Sequence, residues 1–302
     1  MRTICAEMRK SMLLGALEAG GTKMVCAVSD ETGAILERIS IPTETPELTM
    51  PKLFAFFHDY KLAALGIGTF GPADLNPASP TYGFITTTPK LAWRSYDIRG
   101  AFFREFSLPL GFDTDVNAAA LGEATFGCMR DVKNGVYITI GTGVGVGVLS
   151  EGSLPHGMLH PEGGHILLAR NEADSFPGCC PYHGTCLEGL ASGPAIEKRY
   201  GKKAIELKNE PAVWELEAEY IAKALVSYIM ILSPERIVLG GGVMHQEQLF
   251  PLIRRKTLEL LGGYLNTRQL SDIEHYIVPP SLNDNQGILG CVKLALNALQ
   301  LS

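Results

Sequence analysis

The stretch Leu13-Leu-Gly-Ala-Leu-Glu-Ala-Gly-Gly-Thr-Lys-Met-Val-Cys-Ala-Val28 decides the fold. An apolar run ends at Ala19, the turn Gly20-Gly21-Thr22 interrupts it, and a second apolar run extends from Met24 to Val28. The polar turn Asp30-Glu-Thr-Gly33 leads into a third run, Ala34–Ile41. Glycine-centred turns between short apolar runs predict antiparallel hairpins. The pattern returns as Gly135–Ile140, Gly141-Thr142-Gly143 and Val144–Leu149, followed by the turn Glu151-Gly152-Ser153. This recurrence predicts duplication of one architectural half, and 302 residues suit two domains better than one.

Outward from the first hairpins, the pattern predicts a helix over Glu47–Tyr60, a buried strand over Ala63–Gly68 and a glycine-proline loop at Thr69–Pro72. An irregular segment then reaches Trp93, followed by a helix at Tyr96–Phe106, a strand at Leu110–Thr114 and a helix at Val116–Phe126. In the second half, apolar residues at 213, 216, 220, 221, 224, 225, 228 and 229 mark an amphipathic helix over Ala212–Leu232. A strand at Arg236–Leu239, the turn Gly240-Gly241-Gly242, a helix at Gln246–Leu261 and a closing helix at Asn285–Leu301 complete the chain. The expected division is a flexible extension over 1–11, a first domain over 12–115 completed by 285–302, and a larger second domain over 116–284.

A formal charge of −6 without a basic stripe argues against nucleic-acid binding. The most apolar helical run, Ala224–Leu232, is far shorter than the roughly 20 residues a membrane span requires. Seven cysteines, an odd number, fit a reducing compartment, so the chain reads as cytoplasmic. Glu18 and the following glycines break the early apolar run and no cleavage site follows, which argues against a signal peptide.

Three glycine turns each follow an apolar strand: Gly20-Gly21-Thr22-Lys23, Gly141-Thr142-Gly143 and Gly240-Gly241-Gly242-Val243. Each alone reads as an ordinary turn, but three together favour phosphate binding, because tight glycine turns expose amide donors to an anion. Lys23 either neutralises phosphate or faces solvent. Asp115 ends a strand where a helix starts, so it is either an N-cap or a general base. His165, Cys180, His183 and Cys186 supply the two-cysteine, two-histidine set of a closed structural zinc site. Cys179 is the alternative to Cys180, which has the symmetric spacing. Glu162 and Glu188 flank the set and read as ligands for a polar substrate.

Glu18-Ala-Gly-Gly-Thr-Lys23, Thr114-Asp115-Val-Asn-Ala-Ala-Ala-Leu-Gly-Glu123, Ile140-Gly-Thr-Gly143, Glu162-Gly-Gly-His165, the Cys/His loop and Leu239-Gly-Gly-Gly242 occur in this order. Together they resemble the ROK family of sugar kinases and repressors, covering nearly everything from Leu13 onward. The resemblance implies an α/β fold of two actin/hexokinase-like (ribonuclease H-like) domains, each built on a five-stranded sheet, around an interdomain cleft for ATP and a hexose. It implies a kinase, since the residues before Leu13 are too few for a repressor's helix-turn-helix, and a likeness to families in which homodimers are common.

The resemblance makes Asp115 the catalytic base. It makes Gly71, Lys90, Thr114, Glu162, His165 and Glu188 sugar-binding residues, with His165 serving the zinc as well. Gly20, Gly21, Thr22, Lys23, Thr142, Gly143, Pro194, Gly240, Gly241, Gly242, Val243 and Met244 become ATP contacts, and Glu18 lies in the vicinity of the Mg2+ that accompanies ATP. Thr114 and Lys90 stand where glucose, mannose and N-acetylhexosamine kinases carry asparagine. Thr88-Pro89-Lys90-Leu91-Ala92-Trp93 and Cys180-Pro-Tyr-His183 are similar to bacterial fructokinases of the family. Fructose is therefore the expected substrate, with a mannose or glucose kinase, or a non-catalytic sugar sensor, as alternatives.

Overall fold

The computed structural model describes residues 12–301; the extension expected over 1–11 lies outside the described residues. The chain divides into two compact units, one running to Gly122 and resuming at Asn285, the other spanning Glu123–Asp284. The first boundary lies past the expected position at 115, because the helix that begins there stays packed in the first unit as far as Gly122.

In the first unit, β1 (Leu14–Ala19), β2 (Lys23–Ser29) and β3 (Ile35–Pro42) form an antiparallel meander, followed by α1 (Pro46–His58) and β4 (Ala64–Thr69). The segment read as irregular contains β5 (Phe84–Ile85), paired with β6 (Tyr96–Asp97) just before α2 (Ile98–Phe106). Then come β7 (Leu110–Thr114) and α3 (Asp115–Phe126). The sheet order is β3-β2-β1-β4-β7, with β4 parallel to both β1 and β7. Aromatic side chains of α1 and α2, including Phe57 and Phe102, pack on one face with Trp93.

In the second unit, β8 (Gly135–Ile140) and β9 (Val144–Leu149) make the expected hairpin. Short helices α4 (Leu187–Ala191) and α5 (Gly193–Tyr200), absent from the sequence reading, precede the long α6 (Pro211–Leu232). Next come β10 (Arg236–Gly240), α7 (Leu249–Leu261), the single-turn α8 (Arg268–Ser271) and α9 (Ile273–Tyr276), and β11 (Ile277–Val278). Among the described residues this sheet has four strands, ordered β11-β10-β8-β9, not five. The chain after β9 is rich in proline and glycine (Pro155, Gly157, Pro161, Gly163, Gly164), which cannot sustain a ladder, and contributes isolated bridges instead. α6 buries Trp214, Tyr220 and Ile221 against this sheet.

The closing helix α10 (Gln286–Leu301) returns to the first unit. Its backbone nearly touches the sheet: a Cβ on Gly66 of β4 would lie 1.8 Å from the Cys291 carbonyl oxygen, and one on Gly290 would lie 1.6 Å from that of Ala118 in α3. Glycine is required at both positions. Gly66→Ala should destabilise the first unit by about 1–3 kcal/mol or more, the cost of overpacking against backbone that cannot yield. Gly157→Ala, where a Cβ meets nothing within 4 Å, should be neutral. The denaturant midpoint of each variant, at constant slope, measures the difference.

Candidate active site and metal centre

In the first unit, β7 delivers Asp115 to the first position of α3. Thr114, not Asp115, caps that helix: its Oγ1 accepts from the Asn117 amide at 3.2 Å. The Asp115 carboxylate instead accepts from the Val116 amide at 2.8 Å and stays half-buried. Thr114 is 2% exposed and its hydroxyl accepts at the helix start. Asp113, buried one layer deeper, accepts from Asn117 Nδ2 at 2.7 Å and from the Thr114 amide at 2.8 Å, and so stiffens the strand end.

The β1–β2 turn closes through the Gly20 amide, which donates to the Lys23 carbonyl at 3.1 Å, while Thr43 Oγ1 donates to the Gly20 carbonyl at 2.7 Å. Thr22 and Lys23 are exposed. The Lys90 side chain reaches this turn, its Cε 3.6 Å from where a Gly21 Cβ would stand. Sequence spacing carried no sign of that proximity. The Glu18 carboxylate abuts the first turn of α10, within 2.8 Å of where a Gly287 Cβ would sit. Gly71 follows β4 and is half-buried.

In the second unit, the segment Glu162–His165 lies against β9. A Cβ on Gly164 would lie 1.8 Å from the Val144 carbonyl oxygen, so the Glu-Gly-Gly-His spacing allows this close passage. Tyr228 of α6 donates to the Gly163 carbonyl at 2.8 Å and pins the segment from the other side. Glu188, in the first turn of α4, accepts from the Val144 amide at 3.0 Å, which brings it to the start of the same strand. Buried His160 stands 3.6 Å from Glu162 Oε1. Although 39% of the Glu162 side chain is exposed, burial of the carboxyl and the negative charge of Glu188 push its pKa up to about 7.

The ligand atoms of His165, Cys180, His183 and Cys186 all lie within 4.8 Å of one another. Cys180 Sγ is 3.7 Å from Nδ1 of both histidines, and Cys186 Sγ is 3.5 Å from His165 Nδ1. A tetrahedral ion with bonds near 2.3 Å to sulfur and near 2.0–2.1 Å to nitrogen needs sulfur–nitrogen edges of roughly 3.6 Å. The donor set therefore fits such an ion. Cys179 points away, its Sγ 3.9 Å from Ser192 Oγ, so adjacent cysteines have different environments.

The other predicted segments of this unit converge as well. The Gly193 amide, at the start of α5 beside Pro194, donates to the Gly141 carbonyl at 2.8 Å, and a Gly141 Cβ would stand 3.8 Å from the Gly242 amide. Gly241 has φ +89° and would place a Cβ 2.5 Å from the Ile140 backbone. Thr142 is exposed on the β8–β9 turn beside Gly143. A cavity of about 610 Å³ opens at Gly240 and Gly241, lined also by Met244, His245, Phe250, Pro279 and Asp284. Val243, expected at the nucleotide, packs its side chain into the core. The wall at 279–284 was not foreseen; its only sequence sign is the turn-forming composition Pro279-Pro280 and Asn283-Asp284.

The ROK family profile matches residues 14–298. A protein of Bacillus subtilis (strain 168), provisionally named a fructokinase, is 52% identical over 95% of this chain and 97% of its own length. The fructokinase of Pediococcus pentosaceus is 48% identical over 96% of this chain and 99% of its own. Among solved structures, the ROK hexokinase from Thermus thermophilus superposes with a TM-score of 0.80 at 25% identity, over 96% of this chain and 100% of that one.

Because its pKa is raised, Glu162 should hold its proton below about pH 7 and release it above. Glu188→Gln removes the neighbouring negative charge and should move that midpoint down. A carboxyl NMR titration checks both, and a wild-type midpoint near the ordinary 4.5 would contradict the crowding of the two acids.

Proposed function

The chain belongs to the ROK family, and from that premise we propose that it is an ATP-dependent fructokinase that makes fructose 6-phosphate. The observation that carries this reading is identity of 48% to the Pediococcus pentosaceus fructokinase over nearly the whole of both chains. The Thr-Pro-Lys segment, with Lys90 beside the β1–β2 turn, supports it.

Asp115 accepts the proton of the fructose 6-hydroxyl as that oxygen attacks the γ-phosphorus. The new O–P bond forms, the bond from the γ-phosphorus to the bridging oxygen breaks, and ADP leaves. Phosphoryl transfer asks the protein mainly for positioning and charge neutralisation. Asp115 suits the base role because its helix is already capped by Thr114, which leaves the carboxylate's position set by β7 and α3. Glu162, Glu188 and His165 hold sugar hydroxyls; with Nδ1 of His165 among the sulfur atoms, Nε2 remains for the sugar. Gly71 and Lys90 complete the sugar contacts. The turns at Gly20–Lys23, Thr142–Gly143 and Gly240–Gly242 carry the phosphates, and Pro194 and Met244 border the nucleoside. Mg2+ bound with ATP supplies further charge neutralisation, with Glu18 in its vicinity.

The Cys/His set is read as a structural zinc site, since four protein ligands leave no open position for water activation. No helix among the described residues is long and apolar enough to cross a membrane. A cytoplasmic homodimer is the reading for the assembly, supported by apolar side chains exposed at Ile231 and Tyr264.

A coupled assay across fructose, mannose and glucose with ATP tests the assignment: fructose should have the highest kcat/KM, and a tenfold preference for glucose would refute it. In the same assay Asp115→Asn should lower kcat by about 10²–10⁴-fold with ligand binding retained, the usual worth of a positioned base. Metal analysis should find one zinc per chain. Cys180→Ser should lose it and raise KM for the sugar more than KM for ATP, whereas Cys179→Ser should do neither.

A further inference from the structure

Glu123 lies near the end of α3 and its side chain is fully buried. Among the described residues its hydrogen-bond partners are neutral donors, with no lysine or arginine among them. Oε1 accepts from the Ser281 amide at 2.9 Å. Oε2 accepts from Ser281 Oγ at 2.7 Å, the Cys128 amide at 2.9 Å and Cys128 Sγ at 3.2 Å. Hydrogen bonds to a charged acceptor are the stronger kind, and a buried donor left without its acceptor is costly. The carboxylate therefore ties together two stretches of chain distant in sequence.

One of those stretches is a wall of the 610 Å³ cavity. Ser281 sits between Pro279-Pro280 and Asn283-Asp284, all four of which line that cavity. The wall has no strand or helix of its own, and Asn283 and Asp284 take left-handed backbone conformations, with φ +50° and +61°. Pro280 leans on the cavity floor: its Cγ is 2.8 Å from where a Gly240 Cβ would stand. A second, independent feature marks the Glu123–Ser281 contact as built. A Cβ on Gly127 would fall 1.9 Å from Glu123 Oε2 and 2.7 Å from Ser281 Oγ, so residue 127 must lack a side chain for the two groups to meet.

We propose that Glu123 is a positioning residue for the nucleotide, acting through Ser281 to hold the 279–284 wall of the cavity in its binding shape. It touches neither nucleotide nor sugar. Without the clamp, the wall must be ordered when the nucleotide binds, and that entropic cost falls on nucleotide affinity alone. The inference rests on the reading of this cavity as the nucleoside site.

The test compares Glu123→Gln, Ser281→Ala and Phe250→Ala in the full-length enzyme, with KM for ATP and for fructose measured well below each variant's melting temperature. Glutamine keeps the shape but turns an acceptor into a donor facing amide N–H groups. Glu123→Gln should raise KM for ATP about tenfold and leave KM for fructose within twofold. Ser281→Ala, which loses one bond, should raise it about threefold, and Ser281→Thr, which keeps the hydroxyl, should recover most of that loss. Phe250 lines the cavity away from the clamp. If Phe250→Ala raises KM for ATP while Glu123→Gln and Ser281→Ala do not, the positioning role is overturned and the nucleotide cavity stands. If none of the three changes it, the cavity reading fails and the inference with it. Should Glu123→Gln not fold, Ser281→Ala against Ser281→Thr decides the question, and equal KM values for ATP in those two would overturn the proposal.

Discussion

The near-contact of backbone between α10, β4 and α3 is the constraint on which the first unit depends. Residues far apart in sequence, Gly66 with Cys291 and Gly290 with Ala118, are pressed together until no Cβ fits at Gly66 or Gly290. Cys291, fully buried at this contact, donates its thiol to the Leu17 carbonyl of β1. Such packing leaves α3 little freedom to shift relative to the sheet. Asp115 is the first residue of that helix and follows the last residue of β7, so its position is set by sheet and helix together. In the proposed role of general base, Asp115 would benefit from this rigidity more than from any single hydrogen bond it makes, because misplacement by an ångström is expensive in rate.

The second unit solves a different problem. The chain from Gly152 to Cys186 contains little regular structure and few buried apolar side chains, so it cannot order itself by hydrophobic burial. Two substitutes do that work. Close backbone packing lays Glu162–His165 on β9, and the cysteine and histidine side chains gather around one point. Both help to place Glu162 where burial of its carboxyl, and after that the negative charge of Glu188, make it bind its proton more tightly than an isolated carboxylate.

Glycine has a different meaning in each place it recurs. In the β1–β2 and β8–β9 turns it closes the hairpin, with the Gly20 amide donating to the Lys23 carbonyl and the Gly141 amide to that of Gly143. At Gly66, Gly164 and Gly290 it permits close approach of backbone, and at Gly127 it makes room for a carboxylate. A sequence reading sees the same residue type in all of these and can assign a role only to those next to a strand end. Gly66, Gly127 and Gly290 therefore carried no legible signal, and Gly164 was legible only as part of the Glu-Gly-Gly-His segment.

Much of the architecture was legible in the order of residues. Strand and helix periodicity with glycine turns located β1 to β4, β7 to β10, α3, α6 and α10 within a residue or two, because these depend on local patterns of apolar burial. The cysteine and histidine spacing likewise pointed to four ligands, since donor chemistry and loop length are properties of the chain itself. The sequence offers Asp115 as cap or base, whereas in the structure the Thr114 hydroxyl caps α3. Spacing favours Cys180 over Cys179, and in the structure the Cys180 sulfur lies beside both histidines while that of Cys179 lies beside Ser192. In each case side-chain direction in the folded backbone sets the partner. The cavity wall at 279–284 and its anchor on Glu123 were equally hidden, because a hydrogen bond between residues 158 apart leaves no trace in local composition. Tertiary structure alone brings those groups together, through the hydrogen bonds that Ser281 and Cys128 donate to Glu123.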